Sequence, residues 1–260
     1  MKIPPSPHFQ TIDLDSVFNA DKADLPNELK PPENLADAFG QQVFRGIPFL
    51  FGQRASANVL HLRGTPVEVL LDRPRPASYV LFLHLVGNRK DEIADGLDSA
   101  ARPGNHSARI GGKAAEYTLL YADGGRHVRS IERRMAIQQA RFNWGASAMT
   151  AVPAAEDEVL LSSEELTMLQ RPSSRELGYG IGETRTKSGR DISGLTTAWI
   201  YALPNPEPER QIISLAMAAF GGENLAVYAI STTELSEHPL RPGTRRKLLL
   251  SLPEQVELNA

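Results

Sequence analysis

Several short stretches of this chain alternate apolar and polar residues or run apolar between turn signals, and a period of two sends successive side chains to opposite faces of a strand. HFQTIDLDSVFNAD (8–21) contains a first strand, and ANVLHLRG (57–64) and PVEVLLD (66–72) are two short ones. VFRGIPFLFG (43–52) carries Gly46 and Pro48 inside an apolar run, which predicts a bulged or edge strand. ASYVLFLHLVG (77–87) is apolar almost throughout, the mark of a central strand buried on both faces. In AAEYTLLYADGGRHVRSIE (114–132) two alternating runs flank Asp123-Gly124-Gly125, and Asp-Gly supplies the positive φ of a tight hairpin. TTAWIYALP (196–204), ERQIISLAMAAF (209–220), NLAVYAISTTE (224–234) and TRRKLLLSLP (244–253) return to strand patterning.

Between strands the pattern breaks. Residues 21–36 hold Pro26, Pro31 and Pro32 and read as an irregular connection. Residues 88–112 are polar, with a short helix expected near Glu92 to Ala101. EDEVLLSSEELTMLQR (156–171) offers a helix capped by Ser162 or Ser163, with Glu165 placed as in a capping box. ELGYGIGETRTKSGRDISG (176–194) is a glycine-rich loop. In AWIYALPNPEPERQIISL (198–215), Pro206 and Pro208 have no N–H to donate to a ladder. Asn205 can bond its own backbone two residues on. That stretch is a turn, and Glu207 and Glu209 are expected to face water. Roughly ten short strands with little helix predict an all-β antiparallel β-sandwich of jelly-roll type. One domain over 1–260 is expected, with a loop-rich insertion at about 145–195.

Composition removes several classes of chemistry. With no cysteine, disulfides, thiolate metal sites and cysteine nucleophiles are excluded. A net charge of −3 gives no reason to expect nucleic acid as a partner. No apolar run approaches the about 18 residues of a membrane span, and MKIPPSPHFQTIDL (1–14) lacks the apolar core of a signal peptide. The expectation is a cytoplasmic chain, or an extracytoplasmic one if it is a module cut from a longer protein. No G-x-S-x-G elbow surrounds a serine, and GYGIGETRTKSG (178–189) has Thr186 where a P-loop needs glycine. The six histidines show no His-x-His or HExxH spacing. The 31 acidic residues single out no pair for glycoside hydrolysis.

The order of segments resembles the galactose-binding-domain-like β-sandwich modules of carbohydrate-active proteins. The resemblance rests on IDLDSVFNAD (12–21), FRGIPFLF (44–51), YVLFLHLVG (79–87), AEYTLLYADG (115–124), AWIYALPNPEPERQIISL (198–215) and NLAVYAIST (224–232). It covers most of the chain except about 145–195. It implies a jelly roll that accompanies glycoside hydrolases or polysaccharide lyases, binds sugars through loops at one end, and in many cases holds a structural calcium.

Sugar binding needs an aromatic ring on a loop for the apolar face of a pyranose, and planar polar groups for its hydroxyls. Trp144, with Asn143 and Arg141 beside it, lies in irregular sequence and is the leading candidate. Asn88 and Arg89 follow the central strand and belong at a sandwich end. His84, inside that strand, is either a ligand-facing group or a hydrogen-bonded core histidine. Trp199 and Tyr201 share one strand face and read as packing. Asp13, Asp15 and Asp21, with Asp24 nearby, offer oxygens to a calcium, although the EF-hand glycine and terminal glutamate are missing. The expected function is therefore non-catalytic carbohydrate recognition, alone or within a larger enzyme, with no cofactor required. Two alternatives stand beside it. One is a hydrolase or lyase with its site in 138–195; the other is a structural domain packed on a catalytic domain or subunit. An extended apolar patch on a sheet face would favour the last.

Overall fold

The long apolar run after Ser78 forms the strand around which the rest is arranged. In the computed structural model, which describes residues 4–54, 56–88, 110–140, 148–154 and 197–241, this strand is β6 (Tyr79–Val86). Before it come β1 (Phe9–Ile12), β2 (Gly40–Phe44), β3 (Ile47–Phe51), β4 (Leu60–Arg63) and β5 (Val67–Arg75). After it come β7 (Lys113–Tyr121), β8 (Arg126–Glu132), β9 (Ala151–Pro153), β10 (Trp199–Pro204), β11 (Ile212–Ala219) and β12 (Asn224–Thr233). The described helical structure is one 3-10 turn, Asn27–Leu29, and one α-helical turn, Glu33–Ala36. The helices expected near 92–101 and from Ser162, and the strand expected at 244–253, lie outside the described residues, as does most of the 145–195 insertion.

Two antiparallel sheets face each other as a β-sandwich. The first runs β1-β12-β6-β10-β9, with β4 also paired to β12; the second runs β5-β11-β7-β8. Alternation decides what lies between them. Phe82 and His84 on β6, opposite Tyr201 and Trp199 on β10, point at the second sheet. There Phe82 meets Tyr117 of β7 with ring centroids 4.5 Å apart. Apart from Tyr79, every residue of β6 is buried, because the first sheet is also covered on its other face. The β2–β3 hairpin and the 27–36 segment lie there: Ser231 Oγ donates to Pro48 O (2.6 Å) and Tyr228 Oη to Leu29 O (2.9 Å). Tyr228→Phe would leave that buried carbonyl without its donor. A loss of about 1–2 kcal/mol is expected, read as a lower urea midpoint at unchanged slope.

Gly46 does not sit in a bulge. Arg45 and Gly46 both have positive φ (53° and 78°), the pattern of a two-residue type I′ turn, and Phe44 pairs directly with Ile47. The run 43–52 is thus the end of one strand, a turn and a second strand. The hairpin at 123–125 is as the sequence indicates, with Gly124 at φ 83°. Its tip is tied to the β10–β11 turn by Arg210, which donates to Asp123 and to Glu207 (2.7 Å). The Arg210 guanidinium also lies 4.1 Å from the centroid of the Tyr121 ring. Hydrogen bonds from Arg210 and from the Gly125 N–H hold the Asp123 carboxyl below its ordinary range. A Cβ at Gly125 would fall 1.9 Å from Arg210 Nη2, so a larger residue there would push the Arg210 guanidinium aside.

Candidate functional site

One end of the sandwich carries the residues that border 89–109, 141–147 and 155–196. The described chain breaks off after Asn88, Ala140 and Ala154 and resumes at Ile110, Ala148 and Thr197. The residues beside those breaks are tied together: Val86 N donates to Gln138 O, Thr197 N to Ala140 O, Ala154 N to Ala198 O and Gly111 N to Arg133 O. This end is fastened by Arg133, which is fully buried. Its Nε donates to Glu223 Oε1 (3.0 Å), and its Nη2 donates to Glu223 Oε2 and to Gly87 O (2.6 Å).

The residues singled out for ligand binding divide as follows. Asn88 is exposed at this end. Arg89, Arg141, Asn143 and Trp144 lie outside the described residues. His84 is fully buried, with Nε2 3.1 Å from Ala136 O and Nδ1 2.9 Å from Tyr117 Oη, so it is a hydrogen-bonded core histidine. Asp13 and Asp21 use their Oδ1 atoms locally, each accepting a backbone N–H at 2.9 Å, from Asp15 and Ala23 respectively. Among the described residues no three His, Cys, Asp or Glu side chains gather as a metal site would need.

The opposite end holds a pocket of about 300 Å³, lined by Pro7, His8, Gln10, Pro76, Thr232, Thr233, Glu234 and Leu235. It exists because the first and last strands of the sandwich pair. Phe9 lies opposite Thr233 and Gln10 opposite Thr232, and Thr233 Oγ1 donates to His8 O (2.8 Å). A third wall is the 76–78 segment that carries the chain from one sheet to the other. Ser78 N donates to Thr233 O (2.8 Å) and Ser78 Oγ to Glu234 O (3.2 Å). The Asn205 turn braces this wall. Asn205 Nδ2 donates to Ala77 O (2.8 Å) and its N–H to Ser78 O (2.8 Å), while its Oδ1 accepts from Tyr121 Oη (2.6 Å) and Glu207 N (3.0 Å). The prolines and carboxylates of 205–209 therefore mark a strut, whose carboxylates stay at the surface.

The polar groups at this pocket have assignable roles. Arg75 Nη1 donates to Gln10 Oε1 (3.2 Å). A guanidinium has no acceptor, so the Gln10 oxygen faces it and the amide NH₂ is left to donate to a ligand. Arg75 is itself buried and held by Asp72, so Gln10 is positioned by a fixed group. The Thr233 hydroxyl has its hydrogen committed, donating to His8 O and accepting from Leu235 N. Glu234 is exposed and offers a carboxylate acceptor; the His8 ring, also exposed, can act in either sense. Pro7, Pro76 and Leu235 contribute aliphatic walls.

Sequence reasoning missed this site. Its members read as unremarkable strand-end residues, and only the pairing of β1 with β12 brings Gln10 beside Thr232. No known protein family, no curated protein and no solved structure matches this chain.

Proposed function

We propose that this chain is a non-catalytic carbohydrate-recognition domain, acting alone or within a larger carbohydrate-active enzyme, and that it seats one sugar ring in the pocket between β1 and β12. The observation that carries this reading is the pocket's chemistry. It sets a positioned amide donor at Gln10 against a carboxylate acceptor at Glu234, between aliphatic walls of Pro7 and Pro76. A sugar hydroxyl both donates and accepts, and a ring C–H face packs against an aliphatic wall, so a neutral polyhydroxylated ring satisfies every group present. A volume of about 300 Å³ is at the small end of ligand pockets and suits one ring better than an extended chain.

The test is calorimetric titration with a panel of mono- and oligosaccharides, with and without calcium chelation. Glu234→Ala is expected to weaken binding about tenfold or more, since a hydrogen bond to a charged group contributes about 1.5–3 kcal/mol, and Gln10→Ala several-fold, since a neutral one contributes about 0.5–1.5 kcal/mol. Loss of binding in Trp144→Ala, with both pocket variants unaffected, would move the site to the neighbourhood of Trp144. Absence of binding by the wild-type chain to every glycan overturns the reading.

A further inference from the structure

The pocket between β1 and β12 is asymmetric in its hydrogen bonding. Gln10 brings only donors to it. Its Oε1 is held by Arg75 Nη1 (3.2 Å), and Arg75 Nε already lacks an acceptor among the described residues. Turning the Gln10 amide over would set its NH₂ against the guanidinium and take the acceptor from Nη1 as well. The Glu234 carboxylate brings only acceptors. The two stand apart along the ladder: Gln10 lies opposite Thr232, and Glu234 follows two residues on, a diagonal of about 7–8 Å. Ser78 fixes the backbone there, its N–H donating to Thr233 O (2.8 Å) and its hydroxyl to Glu234 O (3.2 Å). Pro7 and Leu235 are the chain neighbours of His8 and Glu234, and both line the pocket. Leu235 is turned back by the bond from its N–H to Thr233 Oγ1 (3.2 Å).

We infer that this pocket takes an acetamido sugar, a hexose ring bearing an N-acetyl group. The assignment rests on the sugar reading of the pocket and names the substituent that its groups select. A trans secondary amide sets its N–H and C=O on opposite sides of one planar unit. Its carbonyl accepts from the Gln10 NH₂ while its N–H donates to Glu234. A hydroxyl offers both functions at a single oxygen and spans a shorter gap. An unacetylated amino sugar presents an ammonium, which suits Glu234 but leaves the Gln10 NH₂ without an acceptor. A uronate carboxylate suits Gln10 but meets the Glu234 carboxylate as a like charge. In a trans amide the acetyl methyl lies on the N–H side, which carries it toward Pro7 and Leu235. Burying one methyl favours binding about fourfold, and the better-aligned hydrogen bonds add a few-fold more. The preference over the parent hexose is therefore about tenfold.

Ligand-observed NMR titration of the full chain tests it, with N-acetylglucosamine and N-acetylgalactosamine each compared with the parent hexose, and with glucosamine and glucuronate added. At least one acetamido sugar is expected to bind about tenfold tighter than its parent hexose. Its acetyl methyl should receive the strongest saturation transfer of any ligand proton. Leu235→Ala keeps the amide donor and removes part of the methyl's wall, so the preference should fall several-fold while hexose binding changes little. Gln10→Leu keeps the bulk of the side chain and loses its donor, and should also lower the preference. Unchanged circular dichroism shows that each variant retains the fold. Parent hexoses that bind as tightly as their acetamido forms overturn the inference and leave sugar recognition standing. So does tighter binding of glucosamine or glucuronate, a preference that both variants leave unchanged, or binding confined to glycans without an acetamido group. A chain that binds no glycan at all removes the sugar reading and this inference together.

Discussion

Exchanging Arg133 for alanine is expected to remove about 3–5 kcal/mol of folding stability, the range for breaking a buried ion pair by deleting one partner. The size follows from what the guanidinium holds. It ties three separate elements: the chain just after β8, the turn before β12 through Glu223, and the end of β6 through Gly87 O. Removing it strands the buried Glu223 carboxylate without this counter-charge and leaves a void the volume of a large side chain. A typical domain has only about 5–15 kcal/mol in hand, so Arg133→Ala should lower the urea midpoint by a large fraction of its value. The companion experiment is the apolar pair Arg133→Met with Glu223→Leu. Arg133 Nη1 has no acceptor among the described residues, so desolvation of this ion pair is incompletely compensated. The double variant should therefore recover most of the loss. If it is no more stable than Arg133→Ala, the arginine acts through shape and its bond to Gly87 O, not through charge pairing.

What the sequence reveals and what it hides divide along a physical line. Interactions that are local in the chain were legible. Short strand-like runs located β4, β5, β7, β8 and β10 to β12, Asp123-Gly124 marked its hairpin, and Asn205 with two prolines marked its turn. The continuous apolar run announced that β6 is buried on both faces. Where local chemistry admits two outcomes, pattern alone misleads. A glycine inside an apolar run fits a bulge or a two-residue turn, and Arg45, a non-glycine at positive φ, gives no warning of the turn. The strand β9 is three residues long and ends in Pro153, too short to show any period. Pairings between distant segments are the least legible. The partner of Arg133 is 90 residues away, and Thr232 bonds a residue 222 positions earlier. The pocket is made entirely of such pairings, so no single stretch around Gln10 or Glu234 looks like a site. His84 shows the same limit: inside an apolar strand it suited a ligand-facing group or a core histidine, and only its burial and its partners decide for the core.

Those partners set the second large effect, a loss of stability in acid carried by His84. Ala136 O can only accept, so Nε2 bears the hydrogen, Nδ1 is bare, and Tyr117 Oη donates to it. The ring is thus neutral and satisfied on both sides. Burial away from water is the dominant influence and pushes its pKa down to about 3, with the bond to Ala136 O opposing weakly. In the unfolded chain the same imidazole titrates near 6.5. Between these two values the unfolded state binds the additional proton, so stability rises with pH. The contribution is complete above about pH 6.5 and is lost progressively as pH falls toward 3. At about 1.4 kcal/mol per pKa unit the full span amounts to roughly 5 kcal/mol. Carboxylates also titrate in this range, so the decisive quantity is a difference of slopes. Urea denaturation between pH 7 and 4 should give His84→Gln a shallower decline than the wild type, by up to one proton. The variant should be the less stable protein at pH 7 because its amide fits the Tyr117–Ala136 gap imperfectly. Parallel declines would mean that the His84 proton equilibrium is the same folded and unfolded, which burial between two sheets does not permit.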